Sequence, residues 1–305
     1  MKHNRYKVAG HLFEVVCTQD QLDTTQLIPS FSPFVSDEEG ELLFSMDVSE
    51  GPAPDFSQQD EIGQFDCGGA NHGVYATSDG GYAFEISLPD VFGGGLSCSM
   101  EAHDDFRHCR ATLTSHDLHR QQFGLNNALM MAFAFAAATQ QTLLVHASVI
   151  RNAGYGYLFT APSGTGKSTH THLWYKHIPG SDLMNDDNPV VRIIGDEARI
   201  YGSPWSGKTP CYRNISAPIG AITRIEQRPY NEMRRFSPVE AFAALLPAVS
   251  SMKWDRRVYN GISGCIARLI GIVPVYWLGC LPDEAAAQLS YSTIAVKKSP
   301  EQTPS

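Results

Sequence analysis

The feature that most restricts the fold of this 305-residue chain is a glycine-rich loop between a strand-like run and a helix-like run. The loop reads Ala-Pro-Ser-Gly-Thr-Gly-Lys-Ser-Thr over residues 161–169. Before it, Tyr155–Thr160 is a short aromatic and β-branched run bounded by glycine, which predicts a strand. After it, Ser168–His177 contains no Gly or Pro, and Pro179-Gly180 predicts the end of a helix. A strand, a glycine loop and a helix in this order are the setting of a phosphate-binding loop.

Each residue type in the loop suits the binding of phosphate groups. Gly164 and Gly166 let successive backbone N–H groups turn toward phosphate oxygens at the N-terminus of the helix. Lys167 can reach the β- and γ-phosphates of a nucleotide, and Ser168 can offer its hydroxyl to Mg²⁺. The pattern is the relaxed form of the P-loop (Walker A) motif, because Ala161 stands where the first glycine would be. The alternative is a glycine turn before an ordinary helix. We predict ATP and Mg²⁺ as ligands, with nucleotide contacts from Ala161, Pro162, Ser163, Gly164, Thr165, Gly166, Lys167, Ser168 and Thr169.

Composition and charge argue against several other classes of protein. The chain is 43% hydrophobic and 18% charged, with a net charge of −9 and no long run of Lys or Arg, so we predict no nucleic-acid binding. The N-terminus has no apolar signal core, and the most hydrophobic stretch, Ala128–Ala138, is too short to span a membrane. The 7 cysteines are scattered without a Cys-x-x-Cys pair, which predicts reduced thiols. A cytoplasmic location follows.

The pattern of apolar runs predicts a mixed α/β (α+β) protein with two regions. Residues 1–120 are broken into short runs by turns, which predicts a β-rich, largely antiparallel region. Apolar residues at three-to-four spacing predict a connecting helix over 121–140, at the start of a second domain over 121–295. The polar end, 296–305, is predicted to be disordered. The strands predicted in the first region are Tyr6–Val16, Leu42–Val48, Gly73–Thr77, Tyr82–Leu88 and Arg110–Ser115.

In the second domain, further strands and helices surround the glycine loop. Leu143–Ile150 is predicted to be one buried strand, and Pro274 within Val273–Leu278 suggests a strand at a sheet edge. Ser237-Pro-Val-Glu240 has the form of a capping box and predicts the start of a helix. The other predicted elements are a hairpin over 190–201, a strand over 219–226 and a last helix that begins near Pro282.

Phosphoryl transfer to a hydroxyl needs a carboxylate near the metal and a base, and two adjacent acids follow the loop helix. Asp186 and Asp187 could divide these roles, with Asp186 on the metal and Asp187 free to accept a proton. A solvated acidic turn is the alternative, with equal weight on spacing alone. His146, in the strand before the loop strand, is either a structural histidine or part of the site. Lys208 is either a surface lysine or a contact for a phosphate or the acceptor.

The other histidines give no metal signal. His170 and His172 lie two apart on the loop helix, so they point to different faces and form a poor metal pair.

The order of His146, the loop Ser163–Ser168 and Asp186-Asp187 resembles the HPr kinase/phosphorylase family and, beyond it, ATP-type phosphoenolpyruvate carboxykinase. The resemblance covers roughly residues 140–290 and implies a P-loop nucleotide-binding domain of that type. It also implies that His146, Lys167 and Asp187 are catalytic, with Asp187 as the base, and that Ser168 binds Mg²⁺.

The chain departs from the family at several places. Thr169 replaces the glutamate that HPr kinases usually carry and looks more like the carboxykinase loop. Ser203–Lys208 stands where the family has a glutamate-bearing segment. The first 120 residues do not resemble the family's N-terminal domain. The chain is similar instead to HPr-kinase-like proteins, some of which accompany ribosomal peptide maturation and modify a serine.

These observations predict an ATP/Mg²⁺-dependent kinase that transfers the γ-phosphate to a hydroxyl. The acceptor is either a serine of a peptide or protein or a small hydroxyl compound, and a homo-oligomer is compatible with the sequence. Two alternatives stay open: a nucleotide-binding scaffold or regulator without transfer activity, and a carboxykinase-like enzyme on a small acid. The last would need further metal-ligating groups that the sequence does not offer at a recognisable place.

Overall fold

The computed structural model describes residues 2–66, 71–207 and 209–296. The chain divides into two compact units, Met1–Leu143 with Ser250–Ile262, and Leu144–Val249 with Ser263–Ser305. Lys208 and nearly all of the predicted disordered tail, 297–305, lie outside the described residues. The two units are taken separately below.

The first unit contains an eight-stranded sheet with the order β1-β2-β3-β8-β7-β6-β5-β4. The neighbouring strands are antiparallel, apart from the parallel pairs β2–β3 and β3–β8. Its strands are β1 (Lys2–Val8), β2 (His11–Cys17), β3 (Leu42–Glu50), β4 (Glu61–Asp66), β5 (Asn71–Ala76), β6 (Tyr82–Ser87), β7 (Leu96–Ala102) and β8 (His108–Leu113). Its helices are the short α1 (Thr24–Leu27) and the long α2 (Leu118–Ala136).

The prediction of one strand over Tyr6–Val16 is wrong. The chain turns back at Ala9-Gly10, where both residues have positive φ angles, and β1 pairs with β2 as an antiparallel hairpin. An isolated glycine inside a strand-like run, here Gly10, also fits a bulge in one continuous strand, so the sequence does not reveal the turn. The strands β4 and β7 and helix α1 also escaped the sequence analysis.

Helix α2 belongs to the first unit, whereas the sequence analysis grouped it with the second domain. It packs on β3, β7 and β8. Its Phe133 ring contacts the ring of Phe13, which stacks on Phe44 at 4.8 Å between centroids. The apolar face predicted for this helix is therefore buried against the first sheet.

The second unit is built on a mixed sheet in which the strands run in the order β12-β10-β11-β15-β14-β13. Strand β15 also pairs with β17 in parallel, and β17 pairs with β16. In chain order, the strands of this region are β9 (Thr142–Leu144), β10 (Ala147–Asn152), β11 (Tyr155–Thr160), β12 (Asp182–Asp187), β13 (Val190–Ile194), β14 (Glu197–Tyr201), β15 (Ser216–Gln227), β16 (Glu232–Arg235) and β17 (Val275–Cys280). The helices are α3 (Lys167–His177), α4 (Pro238–Leu245), α5 (Arg256–Ile272), within which the chain enters this unit, and α6 (Glu284–Ile294).

Two predicted strands of this region need correction. Leu143–Ile150 is not one strand: the backbone N–H of Val145 donates to Pro189 O and that of His146 to Ala248 O, which interrupts the pairing before β10. His146 therefore lies between two strands. The strand near Pro274 is not at an edge, since β17 starts after the proline and pairs on both sides.

Helix α3 packs on β10, β11, β12 and α6. Trp174, which is fully buried, lies at the centre of its core with Tyr157 and Phe159, and the ring centroids are 5.1 and 5.7 Å away. Aromatic burial of this kind fixes the helix against the sheet. The predicted capping box at Ser237 and Glu240 is confirmed at the start of α4.

No helix among the described residues is long and apolar enough to cross a membrane.

Candidate functional site

The predicted site residues meet at one edge of the second sheet because of the strand directions. Strand β10 is antiparallel to both β11 and β12, so its first residue, Ala147, lies opposite Thr160 and Asp187, the last residues of those strands. The glycine loop leaves this edge after Thr160. His146 precedes β10 at the same edge. The topology alone thus brings together three segments that are separated by up to about forty residues in the sequence.

The glycine loop runs from the end of β11 to the start of α3. Gly164 and Gly166 have φ angles of 76° and 113°, which favour glycine. Gly166 is the N-cap residue of α3. Because glycine has no side chain, this residue cannot cap the first N–H groups of the helix. Pro162, Ser163 and Gly164 are exposed. The loop therefore presents backbone N–H groups and the positive end of a helix dipole together.

Lys167 is folded back into the loop. Its ammonium donates a hydrogen bond to Ala161 O at 3.1 Å, and the residue is buried. Burial lowers the pKa of Lys167, while the negative charges of Asp187 and Asp186 act to raise it. The lysine and the two aspartates are thus close enough to interact electrostatically across the site.

Ser168 and Asp186 form one half of the site. The Ser168 hydroxyl donates a hydrogen bond to Asp186 Oδ1 at 2.8 Å. Asp186 is 4% exposed, whereas Ser168 is exposed. Opposite Asp186 on β10, Ser148 contacts the hydroxyl of Thr171 on α3 at 2.8 Å. Residues opposite each other in a sheet share a face, so Asp186 and Ser148 both point toward α3.

Asp187 and His146 form the other half. The Nε2 atom of His146 lies 3.2 Å from Asp187 Oδ1, and their side chains are 42% and 38% exposed. The side-chain amide of Asn188 donates to Asp187 Oδ2 at 2.7 Å. Asp187 thus keeps an ordered carboxylate that solvent, or a substrate, can reach.

The backbone of Asp187 is strained. Its φ angle is 132°, a value that L-residues rarely adopt. A residue held in such a region costs about 1–3 kcal/mol, and such residues cluster at functional sites. The strain is found at Asp187 and not at the adjacent Asp186, which marks Asp187 as a candidate functional residue.

The segment after β14, residues 202–207, contacts the two aspartates at the end of β12. The Ser206 hydroxyl donates to Asp186 O at 2.9 Å, and Gly207 N–H donates to the same carbonyl. A Cβ atom at Gly207 would lie 3.1 Å from the Cβ of Asp187, so the glycine allows this close approach. The next residue, Lys208, lies outside the described residues, and its predicted contact stays a prediction.

A cavity of about 660 Å³ lies beside the glycine loop. Its walls come from Gly164–Gly166, from Thr169, His170 and Leu173 on α3, and from the ends of β15 and β17 with the residues that follow them. The side-chain amide of Gln227, at the end of β15, donates to Thr165 O at 3.2 Å. The cavity therefore begins at the loop and extends along the first two turns of α3.

The sequence analysis did not find this cavity, nor Ser206 and Gly207. The segments that line the cavity carry no motif, and the parallel pairing of β11 with β15 and of β15 with β17 joins parts of the chain that are far apart in sequence. Tight contacts at Gly207 could have been suspected only from the glycine itself.

Within the described ranges, no three His, Cys, Asp or Glu side chains group together as a metal site. Magnesium needs no such group, because it is commonly held by one or two protein oxygens, waters and substrate phosphates. The hydroxyl of Ser168 and the carboxylate of Asp186 are oxygen ligands of that kind.

No protein-family model matches the chain, and no curated protein sequence matches it either. Among solved structures, the Hpr(Ser) kinase/phosphatase from Coxiella burnetii is similar over 49% of this chain and 91% of that chain. The two share 12% sequence identity, with a TM-score of 0.29. A likeness at this level assigns no function and no residue roles to the chain.

Proposed function

We propose that this chain is an ATP/Mg²⁺-dependent phosphotransferase that moves the γ-phosphate to a hydroxyl, with a serine of a peptide or protein as the leading acceptor. The observation that carries the proposal is the meeting of the loop residues Lys167 and Ser168 with Asp186, Asp187 and His146 at one sheet edge. A loop that binds phosphate explains the first two residues only. Transfer to a hydroxyl also needs a base, and the partly exposed carboxylate of Asp187, on a strained backbone, suits that role.

The residues fit a division of tasks around the phosphates. The N–H groups of the loop and the ammonium of Lys167 bind the β- and γ-phosphate oxygens, for which Lys167 exchanges its contact with Ala161 O. Ser168 and Asp186 hold Mg²⁺. When bound, Mg²⁺ neutralises negative charge on the phosphate oxygens.

The two aspartates differ in exposure, and this difference supports Asp187 as the base. Asp186 is 4% exposed and accepts from Ser168, while the side chain of Asp187 is 38% exposed. The Asp187 carboxylate accepts the proton of the acceptor hydroxyl, while the oxygen of that hydroxyl forms a bond to the γ-phosphorus. The bond from that phosphorus to the β–γ bridging oxygen breaks, and ADP leaves. His146 positions the Asp187 carboxylate.

The test uses a general assay for transfer from ATP with Mg²⁺, with serine-containing peptides, proteins encoded nearby in the genome and small alcohols as acceptors. We expect Asp187→Asn to keep the ATP affinity of the parent and to lower the transfer rate by roughly 10²–10⁴-fold, the usual worth of a positioned base. Lys167→Ala, in contrast, should weaken ATP binding itself.

The matched control is Asp196→Asn, the same change in the exposed turn between β13 and β14. It should leave binding and transfer unchanged. Transfer by Asp187→Asn at the parent rate would refute the base assignment. If the parent binds ATP but phosphorylates no acceptor, the chain is a nucleotide-binding module without transfer activity.

A further inference from the structure

The wall of the cavity beside the glycine loop includes a polar ring, of which a single nitrogen is hydrogen-bonded among the described residues. This group is the imidazole of His170, which is 2% exposed and lines the cavity. Its edge contacts the ring of Phe159, 4.6 Å away between centroids. The histidine is thus held rigidly at the cavity wall, one turn along α3 from the loop.

The hydrogen bonds of Ser290, on α6, favour the tautomer of His170 that carries its proton on Nε2. The Ser290 Oγ accepts from Trp174 Nε1 at 2.8 Å, donates to Ala287 O at 3.0 Å and lies 3.0 Å from His170 Nε2. A hydroxyl has one proton, which is used on Ala287 O. All three contacts are satisfied only if Nε2 carries a proton and donates to Ser290.

In that tautomer, Nδ1 of His170 is a hydrogen-bond acceptor. None of the described residues donates to it. A ligand that supplies a donor to this nitrogen therefore gains a hydrogen bond there.

The rest of the cavity fits the body of a nucleoside. Leu173, Pro229 and Leu281 offer apolar surface to a flat ring. Because the cavity begins at the glycine loop, a nucleotide whose phosphates bind the loop extends its nucleoside into this space. The side chain of Gln227 donates to Thr165 O, which leaves its amide oxygen as a second acceptor at the wall.

We propose that His170 reads the base of the bound nucleotide, with Nδ1 accepting a hydrogen bond from the exocyclic amine of a 6-aminopurine. This inference rests on the nucleotide binding in the proposed function. A 6-oxopurine presents an acceptor at the same position, so two acceptors would face each other. His170 is therefore a specificity-determining residue that selects ATP over ITP, which differ in the group at position 6 and in the proton that the 6-oxopurine carries on N1.

The experiment measures the dissociation constants of ATP, ITP, 2′-deoxy-ATP and inorganic tripolyphosphate by calorimetry, with the full chain. We expect the parent to bind ATP roughly 10- to 100-fold more tightly than ITP, the range given by leaving a buried polar group unpaired. 2′-Deoxy-ATP should bind like ATP, because the contact is to the base.

Two variants of His170 distinguish the contributions of Nδ1 and Nε2. In His170→Gln, the amide nitrogen can replace Nε2 and keep the bond to Ser290, but the Nδ1 acceptor is gone. The preference for ATP over ITP should then disappear, while tripolyphosphate binds as in the parent. In His170→Asn, an amide oxygen remains near the Nδ1 position and the Ser290 contact is lost, so the preference should persist in a less stable protein.

Equal affinity of the parent for ATP and ITP, or tighter binding of ITP, would overturn the inference even if neither variant folds. A loss of affinity for 2′-deoxy-ATP with no ATP preference would place the contact on the ribose and overturn it as well. If tripolyphosphate fails to bind the parent, the proposed function fails. The comparison of adenosine with inosine then decides the role of His170 separately: preference for adenosine supports it, and no preference overturns it.

Discussion

At the scale of single residues, the site shows how two identical neighbours acquire different chemistry. Asp186 is almost fully buried and accepts from Ser168, whereas Asp187 is partly exposed, strained and paired with His146. Because side chains alternate along a strand, adjacent residues meet different surroundings. In the proposed function, the environment, and not the residue type, separates the metal ligand Asp186 from the base Asp187.

Ser168 provides a prediction about the metal. Ser168→Ala removes a hydroxyl ligand and the partner of Asp186, so the Mg²⁺ concentration for half-maximal transfer should rise several-fold. The measurement is a Mg²⁺ titration of activity at saturating ATP. Ser292→Ala, which removes a hydroxyl on the exposed side of α6, is the control and should not shift the titration. A parent protein without any Mg²⁺ requirement would contradict the assignment.

At the scale of elements, the site depends on the junction of β11, the glycine loop and α3. The strand ends in buried residues, and α3 is fixed by Trp174 and by the contacts of Ser290 with His170 and Trp174. Both ends of the loop are therefore rigid, and the backbone between them needs two positive φ angles. A loop held in this way has its N–H groups oriented before a ligand binds, which lowers the entropy lost on binding.

Gly166→Ala tests this junction. Alanine at a φ angle of 113° is strained, so the loop should shift and the affinity for ATP should fall at least about 10-fold. The matched control is Gly154→Ala, in the turn between β10 and β11. Gly154 has a φ angle of 89° and free space around it, so the same kind of strain arises away from the site. Thermal unfolding and calorimetry should give a similar loss of stability in both variants but weaker ATP binding only for Gly166→Ala. Equal ATP affinities in the two variants would contradict a role of the loop conformation.

At the scale of the whole molecule, each unit contains a buried histidine that burial keeps neutral. Burial lowers the pKa of His72, in the first unit, and of His170, in the second, from 6.5 to about 4. Between these pH values the unfolded chain binds protons that the folded chain does not. Acid therefore favours unfolding through both units.

The expected result is a fall in the free energy of unfolding as the pH drops from about 6.5 to about 4, with no further loss from these two groups below that. The slope is about 1.4 kcal/mol per pH unit for each histidine at most. Urea denaturation at several pH values measures it. His72→Gln and His170→Gln should each reduce the slope, whereas the same change at the exposed His172 should not. An unchanged slope in the first two variants would show that other groups cause the acid sensitivity.

The sequence by itself predicted the local features of the second unit. Strand β11, helix α3, the capping box at Ser237 and the position of the glycine loop all depend on residues within a dozen positions of one another. Propensities, caps and glycine spacing act over that range. The candidate residues Lys167, Ser168, Asp186, Asp187 and His146 could be named for the same reason, with help from the resemblance to a known family.

The tertiary structure alone decided how these residues are arranged. His146 was predicted within a continuous strand, but hydrogen bonds from its neighbourhood to Pro189 O and Ala248 O interrupt that strand and leave its side chain beside Asp187. The positive φ of Asp187 and the support from Ser206 and Gly207 also come from segments that are distant in sequence. Such pairings follow from the order of strands in the sheet, which local patterns do not encode. For the same physical reason the cavity and the free nitrogen of His170 became visible only after α3, β15, β17 and α6 had been brought together.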